Sequence, residues 1–379
     1  MIAPVADHYT VRPDPTSEKP VRVYLPVAGP FVMVMRDDTA YFSSELGRRL
    51  TLARSGGAQP PGSLAIELAE GYRGFQRDLR EAFRRTWRRP GGIAFHLLDA
   101  RRLELAVRHR VGGDRLISLD PLITRGASPL EVSRGYLLGG RTAVGLVPRP
   151  GAASLSTQIA SLRGYASAGC TLIEDDMCTG ETIASVVRLL QAAGIPVRRV
   201  VPGIRLDGGA LPGLAGTVVE PVLQYRTAAG HDSVGAAAEV TDPRNYLFGL
   251  SGLAVRLPGA GWGRAPYWLP FVRTSARVGI PTETEKEFAR LVLEANLRFF
   301  ARAERLLRRT MRIVDLLPPT RELMHSLQIA DPLEPVRRVL EELMTRLDRW
   351  IELIADIEEG DTAARAQAGG HPRYLGVET

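Results

Sequence analysis

Residues 169–182 combine an apolar stretch, three adjacent acidic residues and a TGxT sequence, and they read GCTLIEDDMCTGET. The acidic residues are Glu174, Asp175 and Asp176. A glycine just before a helix allows backbone N–H groups and the positive end of the helix dipole to face an anion such as a phosphate. Carboxylates at the end of the preceding strand can accept hydrogen bonds from a vicinal diol. A phosphate beside a diol describes a ribose 5-phosphate.

A parallel sheet with crossover helices would position these groups. Between residues 90 and 275, short apolar runs alternate with helical stretches and glycine-rich turns, which predicts such an α/β sheet. The predicted strands are 117–124, 142–147, 170–174, 197–202 and 216–221, and the predicted helices are 130–138 and 182–193. Ligands bind at the carboxyl ends of the strands in such sheets.

Segment 170–182 resembles the signature of the type I phosphoribosyltransferases, which bind phosphoribosyl pyrophosphate (PRPP). The resemblance implies the twisted parallel sheet of that family, catalytic roles for Glu174 and Asp175 on the ribose hydroxyls, and a 5-phosphate held by 178–182. It also implies Mg²⁺, bound through PRPP and by Asp175. The PRPP-binding residues implied here are Glu174, Asp175, Asp176, Met177, Cys178, Thr179, Gly180, Glu181 and Thr182.

Cys178 departs from part of that family. Enzymes acting on hypoxanthine and guanine carry an aspartate at the matching position, near the purine, so Cys178 argues against a 6-oxopurine acceptor. A helix N-terminus can activate a thiol, so a reactive role stands beside that of a small, semi-polar residue.

A second resemblance covers Thr124, Arg125, Gly126 and Ala127, which follow a predicted strand and precede a predicted helix. They are similar to the Arg-Gly-Gly loop that contacts pyrophosphate in the same family, with Ala127 in place of the second glycine. The resemblance implies that all four residues bind PRPP and that Arg125 is catalytic. An ordinary strand-to-helix turn is the alternative.

Three further residues carry weaker resemblances. Arg149 lies in segment 141–162, where the family has a loop that closes over the reacting centre and excludes water. Asp242 and Arg264 lie in runs similar to those closing some purine enzymes, which implies that Asp242 lies near Mg²⁺ and that Arg264 meets pyrophosphate. The alternatives are a surface arginine at 149 and a core strand within 246–257.

These patterns predict that the chain is divided into four segments. They are an N-terminal extension and candidate acceptor hood (1–90), a phosphoribosyltransferase-like core (91–275), a helical region (280–360) and a flexible tail (361–379). The extension contains predicted strands in 21–35, a Gly/Pro-rich loop at 54–62 and an arginine-rich helix at 64–89.

The helical region contains two long amphipathic helices, because apolar residues recur there at three- and four-residue steps. Pro318 and Pro319 are expected to end the first helix. The apolar stripes of these helices either cover the core or form a homodimer surface.

The charge and cysteine content favour a soluble, cytoplasmic protein with anionic partners. Lys and Arg number 49 against 42 Asp and Glu, and all but Lys19 and Lys286 are arginines. Arginine suits phosphates and carboxylates, although codon usage in a GC-rich genome explains the bias equally well. Two cysteines exclude a disulfide framework, and neither a membrane-spanning run nor a signal peptide is evident.

The implied activity is Mg²⁺-dependent transfer of a 5-phosphoribosyl group from PRPP to a nitrogen or other nucleophile of a small acceptor, with release of pyrophosphate. The expected acceptor is a non-standard base or a specialised metabolite, because the unmatched ends of the chain would form the acceptor site. The alternative is a PRPP-sensing, nucleic-acid-binding regulator of the same fold, which the arginine-rich helix permits.

Overall fold

The chain folds into helices and β-sheets whose strands are mostly parallel, which is compatible with the predicted α/β class. A computed structural model describes residues 8–17, 19–26, 29–54, 62–88, 90–113, 115–123, 125–138, 143–165, 169–206, 211, 213–214, 216–227, 237–257 and 261–355. Thr124, Arg89, most of the loop at 54–62 and the whole tail at 361–379 lie outside these residues.

The strands follow the chain in this order: β1 (His8–Val11), β2 (Val21–Leu25), β3 (Phe31–Asp37), β4 (Ile93–Asp99), β5 (Leu116–Ser118), β6 (Ser128–Pro129), β7 (Val132–Tyr136), β8 (Ala143–Pro148), β9 (Cys170–Met177), β10 (Val197–Leu206), β11 (Val218–Val219), β12 (Leu223–Thr227), β13 (Ala238–Thr241), β14 (Leu253–Arg256) and β15 (Trp262–Ala265).

The helices are α1 (Thr39–Phe42), α2 (Arg48–Arg54), α3 (Gly62–Thr86), α4 (Ala100–Val111), α5 (Leu155–Ser161), α6 (Glu181–Ala192), α7 (Ser275–Val278), α8 (Glu285–Leu307), α9 (Pro318–Ser326) and α10 (Val336–Thr345), followed by a helical stretch over 347–355. The helices predicted at 64–89 and 182–193 and the strands predicted within 21–35 are confirmed.

Two compact units, each assembled from separate segments, make up the chain. The first unit draws on 1–37, 89–132 and 152–241, and the second on 38–88, 133–151 and 242–379. The predicted domains, in contrast, are continuous segments. Strands β2 and β3 of the predicted extension belong to the first unit, whereas its long helix α3 belongs to the second.

The first unit contains two parallel sheets. One has the strand order β1-β4-β3-β13, and the other has the order β2-β12-β10-β9-β5-β6 with β11 beside β10. We call the second of these the large sheet. Its adjacent parallel strands β9 and β10 are joined through α6, as expected of a strand–helix–strand crossover. Side chains from both sheets and from α4 share one buried core, which includes Val34, Val107 and Ile204.

The second unit pairs the sheet β15-β14-β7-β8 with a helical core. Helix α8 packs along α3, and aromatic rings join them: the centroids of Phe83 and Phe288 lie 4.8 Å apart. Phe42 from α1 stacks on Tyr72 of α3 at 4.6 Å. The apolar stripe predicted for α8 is therefore buried within this unit.

The predicted helix at 130–138 is wrong, because this segment is the strand β7. Gly135 explains the difference: a Cβ there would lie 2.7 Å from Val147 Cγ1 and 2.8 Å from the Trp262 ring. This close approach and the pairing of β7 with β14 favour a strand here, although the leucines around Gly135 have helical spacing. The helix expected after the Arg125–Gly126 loop is consequently absent, and β6 and β7 follow instead.

The bounds of two predicted strands also differ from the structure. Strand β5 ends at Ser118 rather than at 124, because the Asp120 carboxylate accepts the backbone N–H of Ile123 and holds a turn. Within predicted strand 216–221, only Val218–Val219 form β11.

Pro318 and Pro319 open helix α9 instead of ending the one before it. Proline fits the first helical turn, where its missing N–H has no intrahelical partner. Helix α8 has already ended at Leu307, with Arg308 in the left-handed region at φ 53°. The second predicted long helix is interrupted at Arg346, where φ is −111°.

Candidate functional site

The loop between β9 and α6 places a helix N-terminus at the carboxyl end of a central strand of the large sheet. Gly180 has φ 74° and ψ 0°, in the left-handed region that favours glycine. A Cβ at this position would also lie 2.9 Å from Leu211 Cδ2. The first N–H groups of a helix have no intrahelical acceptor, so α6 directs its N–H groups and the positive end of its dipole toward this loop. This geometry suits a phosphate.

Three carboxylates meet beside that loop. Asp120, Glu174 and Asp175 each have an oxygen within 4.8 Å of the others. They meet because β5 and β9 are parallel neighbours, with Ser118 opposite Ile173, so the residues that follow in each strand reach the same edge. The site is thus built by two adjacent strand ends.

Arg36 holds two of these carboxylates together. Its Nη1 lies 3.2 Å from Asp120 Oδ2, and its Nη2 donates to Asp175 Oδ2. Arg36 is 1% exposed, Asp120 2% and Asp175 8%, so the three charges are withdrawn from water. Removing charges from water costs free energy. One guanidinium between two carboxylates compensates much of this desolvation cost, since Arg can donate to two acceptors at once.

Glu174 lies in a desolvated position close to three other carboxylates. Desolvation raises the pKa of Glu174 well above its ordinary value, and the nearby charges of Asp175, Asp120 and Asp176 raise it further. Its Oε1 accepts the backbone N–H of Asp175 at 3.0 Å. A cation or a hydrogen-bond donor placed at Glu174 would relieve this repulsion and lower the pKa of Glu174.

The donor set of the cluster fits Mg²⁺ at Glu174 more readily than at the two aspartates. Mg²⁺ prefers carboxylate oxygens. The Asp120 side chain already receives Arg36 on one oxygen and the backbone N–H groups of Leu122 and Ile123 on the other. Asp175 also accepts Arg36, so Glu174 would be the main protein ligand and Asp175 a secondary one.

Cys178 lies in the loop, and its Sγ is 3.8 Å from Asp176 Oδ2. Desolvation and the carboxylates of Asp176 and Glu239 raise the pKa of the Cys178 thiol. The thiol is therefore protonated at neutral pH, and these neighbours work against the reactive-cysteine alternative. Thr179 supports the loop, because its Oγ1 accepts the Glu181 N–H at 3.5 Å.

The Arg125 loop follows the end of β5 in the same sheet. Gly126 has φ 76°, consistent with the tight turn expected there. Arg125 is exposed, and its carbonyl oxygen accepts a hydrogen bond from Arg108 Nη2 at 2.6 Å. A hydrogen bond from α4 therefore holds the backbone of this loop, while the Arg125 guanidinium faces solvent.

Arg149, Asp242 and Arg264 belong to the second unit. The Asp242 carboxylate pairs with Arg244 at 2.9 Å, and Arg264 Nη1 donates to Ser251 Oγ at 3.0 Å. Both residues are buried, whereas Arg149 is half-buried. The assigned contacts to Mg²⁺ and pyrophosphate stay predictions for these three residues.

Asp38 forms the centre of a buried polar network in the second unit. It accepts hydrogen bonds from Tyr72 Oη at 2.7 Å, from Gln76 Nε2 at 3.1 Å and from the Arg244 N–H at 2.8 Å. Burial raises the pKa of Asp38 from 3.8 to about 6, and the Asp242 charge acts in the same direction.

The pH dependence of the free energy of unfolding should reflect the protonation of Asp38 in this network. Between pH 3.8 and about 6, the folded chain holds a proton on Asp38 that the unfolded chain has lost, so stability falls as pH rises through this window. From pH 5 to pH 7.5 the contribution is about 1–2 kcal/mol. Urea unfolding of Asp38→Asn should lack this component, while the exposed neighbour variant Asp37→Asn should keep it. An unchanged pH profile in Asp38→Asn would show that another group is responsible.

Arg36 and Asp120 are the two site residues that the sequence analysis missed. Each carried a signal: Asp120 comes two residues after the buried strand β5, and Arg36 follows the apolar run Phe31 to Met35 of β3. Neither signal reveals which other residue the charge meets.

Comparisons with protein-family models, curated proteins and solved structures found no match to this chain. In the part of the chain that the structure describes, every helix is too short or too polar to cross a membrane.

Proposed function

We propose that this protein transfers the 5-phosphoribosyl group of PRPP to a small acceptor and releases pyrophosphate. The observation that carries the proposal is the strand–loop–helix of β9 and α6, in which left-handed Gly180 opens a helix N-terminus beside Glu174 and Asp175. On this proposal, the large sheet is the twisted parallel sheet of a type I phosphoribosyltransferase.

The loop at 178–180 and the N-terminus of α6 would bind the 5-phosphate of PRPP. Backbone N–H groups at a helix N-terminus bind phosphate without a dedicated cation. Glu174 would accept a hydrogen bond from a ribose hydroxyl, and Asp175, oriented by Arg36, would accept one from its neighbour. The ribose would then lie with C1 facing away from the phosphate loop.

The reaction forms a bond from an acceptor nitrogen to ribose C1 and breaks the bond from C1 to a pyrophosphate oxygen, which leaves with the electron pair. Positive charge develops on the ribose, and the carboxylates of Glu174 and Asp175 stabilise it. Mg²⁺, when bound, supplies charge neutralisation for the departing pyrophosphate. Arg125 would contact the pyrophosphate from the end of β5.

The test is incubation of the chain with PRPP, Mg²⁺ and a panel of bases, amines and alcohols, with pyrophosphate release and product mass as readouts. We expect Gly180→Ala to weaken PRPP binding about tenfold or more, because the loop can no longer present its N–H groups. Glu174→Gln should lower kcat/KM by about 10- to 150-fold, as the loss of a charge-assisted hydrogen bond predicts. Hypoxanthine and guanine should be poor acceptors.

Gly194→Ala is the matched control, because Gly194 ends the same helix α6 with φ 76° and open space around its Cα. Both alanine variants impose the same backbone strain, of about 1–2 kcal/mol. Only Gly180→Ala should affect PRPP binding. Equal losses in both variants, or full activity in Glu174→Gln, would contradict the proposed site. Saturable PRPP binding without turnover of any acceptor would favour the sensing regulator.

A further inference from the structure

The amino end of the large sheet carries two adjacent cavities. The first, of about 510 Å³, is lined by Lys19, Arg110, Arg199 and Arg205, with Glu220 as its carboxylate. The second, of about 470 Å³, is lined by Arg115 and Arg198 and shares Arg199 and Glu220 with the first. Among the described residues, six Lys and Arg side chains and His109 line the two adjacent cavities, together with the carboxylate of Glu220.

Backbone carbonyl groups hold three of these arginines in place. Arg110 Nη2 donates to Ser17 O at 3.0 Å, and its Nη1 donates to Pro221 O. Arg199 Nη2 donates to Val111 O at 3.1 Å. Arg115 Nη1 donates likewise to Gly164 O at 2.6 Å. Carbonyl acceptors orient a guanidinium, so these contacts fix the positions of the three arginine side chains.

The cations also crowd one another. Burial lowers the pKa of Arg110; the adjacent Arg199 charge acts in the same direction and Glu220 opposes it. Arg199 Nη1 lies 3.1 Å from Glu220 Oε2, which offsets one positive charge. A bound anion would relieve the repulsion between Arg110 and Arg199.

Size and lining favour a small anion over a nucleic acid. Cavities of a few hundred Å³ suit ligands of nucleotide size. Among the described residues that line the two cavities, none is Phe, Tyr or Trp and His109 is the one with an aromatic ring, so an extended platform for stacking bases is not present. The two adjacent cavities can hold more than one phosphate group, with Arg199 between them.

We propose that these cavities bind a small ligand that carries two or more phosphate groups. The second cavity begins at Thr171 and Arg198, whereas the carboxylates described above lie three and four residues farther along β9 than Thr171, about 10–13 Å at the rise of a β-strand. The first cavity extends farther along the sheet, to Arg205, which is opposite Met177. This proposal does not depend on the proposed function.

Calorimetric titration of the full chain with tripolyphosphate and with pyrophosphate tests the proposal. Lys19→Gln changes the first cavity and Arg198→Gln the second, and both side chains are exposed, so neither change removes packing. Each should raise the Kd for tripolyphosphate about tenfold, the effect of losing one charge-assisted hydrogen bond. Arg101→Gln, an exposed arginine near the start of α4, should leave the Kd unchanged. Pyrophosphate should bind more weakly than tripolyphosphate.

Four results would overturn the proposal. They are the absence of saturable binding at low salt, equal weakening in all three variants, unchanged binding in both cavity variants, and loss of tripolyphosphate binding in Gly180→Ala. The last would place the anion at the α6 loop and would still support the proposed PRPP site. A single-stranded RNA that binds where tripolyphosphate does not would assign the surface to nucleic acid instead.

Discussion

Replacing Arg36 by methionine should lower the free energy of unfolding by about 3–5 kcal/mol, the usual cost of removing one partner from a buried ion pair. Asp120 and Asp175 lie beside Arg36 and are 2% and 8% exposed. Without the guanidinium, the negative charges of Asp120 and Asp175 would repel each other in a buried environment. Arg36→Lys should recover only part of the loss, because an ammonium cannot bridge two carboxylates as a planar guanidinium does.

Urea unfolding at neutral pH measures this effect, with Arg22→Met on the exposed face of β2 as the matched control. The double variant Arg36→Met/Asp175→Asn should be more stable than Arg36→Met alone, because it removes one of the two uncompensated charges. A loss under about 1 kcal/mol in Arg36→Met, typical of a surface pair, would show that Arg36 does not hold the acidic cluster.

A chain ending at Pro281 should fail to fold its second unit and should aggregate. Helix α8 buries Phe288, Val292 and Phe300 at 0% exposure, and α3 supplies the opposite wall. Burial of each large apolar side chain stabilises a protein by about 1.5–3 kcal/mol. The stabilisation lost with α8 and the helices after it therefore exceeds the whole free energy of unfolding of an ordinary protein, about 5–15 kcal/mol. Light scattering and near-UV circular dichroism of the two chains would measure this.

Point variants separate the loss of packing from the loss of length. Phe288→Ala in the full chain should cost about 3–5 kcal/mol, whereas Glu294→Ala on the exposed side of the same helix should change stability by less than about 0.5 kcal/mol. A truncated chain that stays soluble, cooperatively folded and unchanged in particle mass would contradict this account. It would mean that the apolar face of α3 is buried even without α8.

The features that the sequence predicts well depend on local interactions. The strand that begins at Cys170, the helix α6 and the turn at Gly180 each follow from neighbouring residues: an apolar run, a glycine that tolerates positive φ and an amphipathic stretch. The apolar spacing of α8 likewise predicts both the helix and its buried face.

Long-range contacts explain what the sequence did not predict. Segment 130–138 has helical spacing, yet it forms β7 because Gly135 must lie against Val147 and Trp262. Arg36 meets Asp175 across 139 residues of chain, and no periodicity encodes that meeting. Asp38 accepts the backbone N–H of Arg244 across 206 residues of chain for the same reason. A local pattern specifies an element and its buried face, whereas the partner of a buried charge depends on which elements the whole fold brings together.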